Sequence, residues 1–220
     1  MKNTNYTLIA VFACLGIPFM YAYYLYPSLP AIIPTHFNLK GEADGFGGRD
    51  TIYLGPAIMA VAGLFTYFLL ANIKKIDPKR SEKIDDGLFK KMGFFTVLFL
   101  SVLSMVILYM TTHPNFNMGK IIFPLLGLGF ALMGVYLPKL KQNYFAGFKL
   151  PWTLENENNW NATHKVAGKA WVYGGVLQLI AGILLPATPS FIVFMALMLL
   201  MVLVPTIFSY RMFKNGNQPI

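Results

Sequence analysis

The chain has 220 residues, of which 56% are hydrophobic and 12% charged, and 18 Lys and Arg face 9 Asp and Glu for a formal net charge of +9. A water-soluble domain carries about 25% charged residues, so the composition excludes one, and its apolar content equally excludes a disordered basic tail. The single cysteine, Cys14, excludes an intramolecular disulfide framework and any multi-cysteine metal site.

A hydrocarbon core about 30 Å thick needs roughly 20 apolar residues per helix. Six stretches supply them in chain order: residues 6–26, 52–73, 92–112, 121–137, 167–185 and 191–212. The first reads as a span and not as a cleaved leader, because one basic residue precedes it and it lacks a small-x-small cleavage site. The fourth is short and holds Pro124, Gly127, Gly129 and Gly134. Bilayer helices tolerate such residues when neighbours pack against them, although these glycines form no small-xxx-small stripe. Pro18, Pro56, Pro124 and Pro205 offer kinks. No ionisable residue lies between the ends of the spans, which argues against a proton-coupled pump or a voltage sensor. Gln178, Ser101 and Ser104 are the main central polar side chains and read as helix–helix hydrogen bonders.

Orientation follows from Lys and Arg in the short connections. With the N-terminus inside, fifteen of the 18 basic residues lie on that side, and Lys40, Arg49 and Lys120 lie on the other. The inner side then carries the whole +9, and the outer side is neutral. The charge is therefore an orientation signal and not a nucleic-acid footprint. Membrane lipids are expected partners and no direct nucleic acid is. The expected fold class is an all-α integral membrane protein: a six-transmembrane-helix bundle with both termini cytoplasmic, one ordered outer loop and one interfacial inner loop.

The outer loop spans about residues 26–51. Pro27, Pro30 and Pro34 fix φ near −65° and stiffen its first half. Asp44–Gly45 reads as a turn, and Asp50 or Thr51 as a cap for the second span. Thr35, His36, Asn38, Glu42 and Asp44 gather polar groups near the bilayer surface. Such groups suit a ligand or metal site, with His36 as nitrogen donor and carboxylates as oxygen donors. They equally suit turn and cap hydrogen bonds. The spacing follows no established metal motif, so no metal ligand, cofactor or catalytic residue is assigned. His113 is expected on the same side.

The charged connection 74–91 reads as solvated turns starting at Asp77–Pro78 and facing lipid headgroups. The inner connection 139–169 and its flank hold all three tryptophans, Trp152, Trp160 and Trp171, with Tyr144, Phe145 and Phe148. Amphipathic rings and Lys139, Lys141 and Lys149 suit a segment lying against the inner leaflet. His164 is expected near the start of the fifth span. The Asn161-Ala162-Thr163 sequon is discounted because it falls on the cytoplasmic side. No nucleotide loop, HExxH, GxSxG or CxxC pattern is present.

These two connections also resemble a known family. The outer stretch from Leu29 to Asn38, LPAIIPTHFN, followed by Gly41 and Asp44-Gly45, is similar to the N-terminal domain of the SdpI family of immunity proteins. The inner stretch from Asn143 to Leu154, NYFAGFKLPWTL, continued by Trp160, Thr163-His164 and Gly168, resembles that family's C-terminal hallmark. Ala43 stands where the family often has Pro, and Lys149 where it often has Arg, which is not equivalent in a bidentate contact. The resemblance implies two parts: residues 1–92 with two spans and the outer motif, and residues 93–220 with four spans and the inner motif. It implies a multi-pass protein of the bacterial cell membrane that confers resistance to a secreted, membrane-active peptide toxin. It further implies signal transduction, in which a small winged-helix autorepressor is held at the membrane.

On that reading Thr35, His36, Asn38, Glu42 and Asp44 meet toxin. Asn143, Phe145, Gly147, Pro151, Trp152, Trp160 and His164 carry the state to a cytoplasmic partner. The chain is then no enzyme. Two other readings remain at this point. One is a membrane metal-dependent hydrolase with an outer-face His36/His113 site. The other is a small-solute transporter built of two inverted halves.

Overall fold

A computed structural model describes residues 2–38, 42–77, 85–113, 117 and 119–216, with the side chains of residues 2–5 not described. The expectations for Lys40, Gly41 and most of the charged connection, residues 78–84, lie outside the described residues. In chain order the elements are α1 (Lys2–Leu25), β1 (Ile32–Phe37), β2 (Ala43–Gly48), α2 (Leu54–Ala71), α3 (Ile73–Ile76), α4 (Asp86–Thr112), α5 (Gly119–Tyr136), α6 (Pro151–Glu155), α7 (Glu157–Leu184) and α8 (Ala187–Lys214).

Six of these helices, α1, α2, α4, α5, α7 and α8, are long and apolar enough to cross a membrane. Their outward faces show why the chain needs lipid. On α2, Leu54, Ile58, Val61, Phe65 and Phe68 follow helical spacing and are all exposed, Val61 and Phe65 at 69%. Water would oppose such a stripe, and hydrocarbon does not. With six such helices among the described residues, the chain is an integral membrane protein. The fifth starts earlier than its hydropathy suggests: α7 begins at Glu157, capped by Asn156, whose side chain accepts from the Asn159 N–H at 2.9 Å. His164 therefore sits two turns inside the helix and not at its start.

The chain folds as two compact units. The first is built from Met1–Ala71, Lys90–Ile122 and Pro186–Thr188; the second from Asn72–Phe89, Phe123–Leu185 and Pro189–Ile220.

In the first unit, Val11, Leu15, Tyr67 and Val97 bury one cluster among α1, α2 and α4. A second cluster, Ala22, Leu29, Ile33, Ile52 and Leu108, ties the segment between α1 and α2 to the helices. That segment is a two-stranded antiparallel hairpin, so the fold is all-α only within the spans. Asp44–Gly45, expected as the turn, lies inside β2. The hairpin closes further out, where the Asn38 N–H donates to the Glu42 carbonyl at 2.9 Å. Pro34 is tolerated because each strand of a two-stranded sheet is an edge. Asp50 and Thr51 do not cap α2 as expected. A 3₁₀ turn, Arg49–Tyr53, intervenes, Asp50 accepts from the Tyr26 hydroxyl, and the Thr51 hydroxyl donates to the Gly48 carbonyl at 2.7 Å.

In the second unit, α5 and α7 run antiparallel at close approach. A Cβ on Gly127 would stand 2.4 Å from the Leu179 nitrogen, and one on Gly175 would stand 2.4 Å from the Ala131 nitrogen. Gly134 meets Val172, Gly168 meets Pro138, and Gly182 meets Pro124 in the same way. Gly168, Gly175 and Gly182 recur every seven residues, as do Gly127 and Gly134. A seven-residue period keeps one seam facing a partner helix, and small residues there let backbones approach. Asp77, expected as a solvated charge, is 3% exposed, and its carboxylate accepts the Tyr144 N–H at 3.2 Å.

Candidate functional site

Two places gather the residues singled out in the sequence. The first is the hairpin. Register shifts fall between Pro34 and His36 and between His36 and Phe37, so Thr35 and Asp44 lie outside the regular pairing. Bulges re-aim side chains, and here His36 Nδ1 meets Asp44 Oδ1 at 2.5 Å. His36 faces Gly45 across the ladder, and a Cβ on Gly45 would come 2.8 Å from the His36 Cβ. The glycine is thus required by the close approach. The Asn38 side chain donates to Glu42 Oε2 at 2.9 Å and accepts the Glu42 N–H at 3.1 Å. Thr35 packs its methyl group toward Gly47. The His36 and Asp44 side chains are 73% and 45% exposed, so the pair contributes about 0–1 kcal/mol to stability.

Beneath the hairpin lies a cleft of about 430 Å³. Its walls come from β1, the Arg49–Tyr53 turn, α2 and α4, mostly as apolar side chains such as Ile33, Phe37, Ile58 and Ile107, with Thr35, His36, Thr51 and Thr111 at polar positions.

The second place is the Trp-rich connection, which is a buried hydrogen-bonded knot. Asn143 is fully buried: its amide donates to the Lys141 and Ala146 carbonyls, and its oxygen accepts from Phe145 N–H and Ala146 N–H, both at 2.8 Å. That turn leads to Gly147 at φ +110°, where a Cβ would lie 2.2 Å from His164 Nε2. His164 Nε2 accepts the Phe148 N–H at 3.0 Å, so Nε2 carries no proton. Nδ1 therefore holds the proton and donates to the Trp160 carbonyl at 2.8 Å. The ring is neutral, with both nitrogens engaged, and stacks on Trp160 at 4.0 Å between centroids. Trp160 Nε1 donates to the Leu140 carbonyl at 2.7 Å.

Pro151 opens α6, and Thr153 locks it by accepting from Leu150 N–H and donating to the Phe148 carbonyl. Trp152 Nε1 donates to the Ser209 hydroxyl at 2.7 Å; Ser209 donates to Asn159 Oδ1, and the Asn159 amide returns to the Ser209 carbonyl. Thr163 completes the circuit on Asn159 Oδ1 at 3.0 Å. Buried polar networks hold one geometry when every member is satisfied.

The residues singled out in the sequence gather at these two places. The rings do not all sit at an interface, however. Trp160 is fully buried and Trp152 half-buried, while Tyr144 keeps an exposed face. Gln142, Asn159, Thr163 and Ser209 carry no role in the sequence reading, yet Gln142 donates to the Thr153 and Leu154 carbonyls and the other three close the circuit; only Asn159 and Thr163 give a sequence signal, four residues apart on one helix and beside Trp160. His113 is engaged locally: its Nδ1 lies 2.9 Å from the Tyr109 carbonyl, and its ring stacks on Tyr109. Among the described residues no group of three or more His, Cys, Asp and Glu side chains converges as a metal site would require.

Comparison with known proteins follows this division. The model of the SdpI/YfhL protein family matches residues 139–209, which hold the knot. A domain of unknown function (DUF1648) matches residues 13–60, which hold the hairpin. Immunity protein SdpI of Bacillus subtilis (strain 168) is 27% identical over 219 residues, covering 99% of each chain. An uncharacterized protein of Archaeoglobus fulgidus is 40% identical over 43 residues, covering 20% of this chain and 24% of its own. No solved structure matches.

Proposed function

Because the chain belongs to the SdpI family, we propose that it is a membrane immunity protein that protects its cell from a secreted, membrane-active peptide toxin. The observation that carries this reading is the end-to-end similarity to an immunity protein, 27% over 99% of both chains. Both termini face the cytoplasm, as the distribution of Lys and Arg favours. The hairpin then faces outward. Thr35, His36, Asn38, Glu42 and Asp44 meet toxin at a neutral surface, so packing and hydrogen bonding, not charge attraction, hold it.

The knot faces inward. Asn143, Phe145, Gly147, Pro151, Trp152, Trp160 and His164 fix a platform whose exposed neighbours, Tyr144 and Lys149, present it to a cytoplasmic autorepressor. This receptor role requires a cytoplasmic partner protein. For both sides to respond together, the chain needs two states that toxin and repressor bias alike.

The test is expression of the full chain in Bacillus subtilis cells lacking Immunity protein SdpI, exposed to the toxin of wild-type siblings. Restored survival is expected. Unchanged killing at equal membrane levels would overturn the reading for that toxin.

A further inference from the structure

We infer that the cleft beneath the hairpin is a lipid site, which takes an acyl chain from the outer part of the surrounding bilayer. Three observations carry this. First, the cleft has about 430 Å³ of space, within the roughly 300–1,000 Å³ of small-molecule pockets. Second, its walls are mostly apolar, and a bound water needs two to four polar partners. The Thr51 and Thr111 hydroxyls already donate to the Gly48 and Ile107 carbonyls. His36 is engaged by Asp44.

Third, the cleft is continuous with the lipid-facing surface. Leu54 and Ile58, which line it, are also the first residues of the exposed stripe that runs on through Val61 and Phe65. An acyl chain lying along that stripe meets no polar barrier on passing into the cleft. Deeper in, Ile33, Ile52 and Leu108 are almost fully buried and offer apolar contacts on the far wall. Thr35 and His36, on β1, place polar groups where the ester and glycerol end of the lipid would lie. The hairpin would thus rest on lipid as well as on protein.

Gly55 gives a way to test this. It lines the cleft, and a Cβ there would meet only Ile107 Cγ2, at 3.9 Å, an ordinary contact. Gly55→Leu therefore fills the cleft without disturbing backbone, and Thr111→Leu fills it from the α4 wall as a second variant. The full chain is reconstituted in phosphatidylcholine nanodiscs whose acyl chains carry a photoactivated diazirine, and adducts are mapped by mass spectrometry. Adducts on Phe37 and Ile107, both half-buried cleft residues, are expected alongside those on the exposed Val61 and Phe65. In either filled variant, the ratio of cleft to stripe adducts should fall about tenfold, the change that loss of roughly two buried methylenes corresponds to. Labelling of Val61 and Phe65 without Phe37 or Ile107 would overturn the inference. So would a ratio that neither filled variant changes.

Discussion

The Ser101 hydroxyl donates to the backbone carbonyl of Cys14 at 2.5 Å, across the contact between α4 and α1. Cys14 lies four residues before Pro18, inside α1. Proline has no N–H, so the carbonyl four residues earlier loses its helical partner. In hydrocarbon that orphan acceptor is costly. Ser101 supplies the missing donor from a neighbouring helix.

This pairing predicts a specific coupling. Ser101→Ala should destabilise the protein by about 1 kcal/mol, the order found for interhelical hydrogen bonds in membranes. In a Pro18→Ala background, where the helix can bond its own carbonyl, the same substitution should cost much less. A double-mutant cycle of unfolding in mixed micelles measures the difference; equal costs in both backgrounds would refute the pairing.

The same device recurs in the second unit. Pro205 lies inside α8, and the carbonyl it leaves open is that of Met201. Trp171 Nε1 donates to that carbonyl at 3.1 Å, while its ring stands edge-on to Phe130 at 5.6 Å. Trp171→Phe keeps an aromatic ring but removes the donor. It should lower stability by about 1 kcal/mol, and Pro205→Ala should abolish most of that loss, read again by the unfolding midpoint.

The α5–α7 seam predicts a sharp positional contrast. Gly175→Ala places a methyl group 2.4 Å from the Ala131 nitrogen, a backbone atom that cannot rotate away. Overpacking of that kind costs about 1–3 kcal/mol or more. Gly16→Ala, inside α1, meets nothing within 4 Å and should be neutral or raise stability by roughly 0.5–1 kcal/mol through helix propensity. Parallel thermal unfolding of the two variants in detergent separates seam packing from a general effect of glycine loss.

The spans were legible because hydropathy alone decides whether roughly 20 residues can sit in hydrocarbon. The seam was not, although its signal was present. Gly127 and Gly134 fail a four-residue test and pass a seven-residue one, which needs Gly168, Gly175 and Gly182 beside them to become visible. Ser101 and the four prolines are each visible in the sequence only singly. Their relation is one of three dimensions, because Cys14 and Ser101 are 87 residues apart. The hairpin was legible as extended and stiff from Pro27, Pro30 and Pro34. Asp44–Gly45 misled because a strand bulge and a turn favour the same residue types. Trp160 looked interfacial because composition does not reveal that the Leu140 carbonyl waits inside for its indole N–H.

The hairpin pair predicts a loss of function without a loss of fold. His36→Ala and Asp44→Ala, together, remove an exposed interaction worth about 0–1 kcal/mol, so membrane levels should not change. If the hairpin meets toxin, the dose that kills half the cells should move toward that of unprotected cells. An unchanged dose would place recognition elsewhere on the chain.

His164 and Gly147 make the reverse prediction, a loss of fold that precedes any loss of function. Gly147→Ala combines a strained φ of +110° with a Cβ 2.2 Å from His164 Nε2, so the ring must move. His164→Phe keeps an aromatic ring against Trp160 but leaves the Phe148 N–H and the Trp160 carbonyl without partners. Each orphaned group costs about 1–3 kcal/mol. Trp160 fluorescence is not separable from that of Trp152 and Trp171, so protease resistance of residues 139–169 is the better readout. Both variants should be cut in this segment at protease concentrations that leave the native chain intact. His164→Gln, whose amide can both donate and accept, should restore part of the resistance. Equal cleavage of His164→Phe and His164→Gln would mean that the ring stack on Trp160, and not the two hydrogen bonds, holds the knot closed.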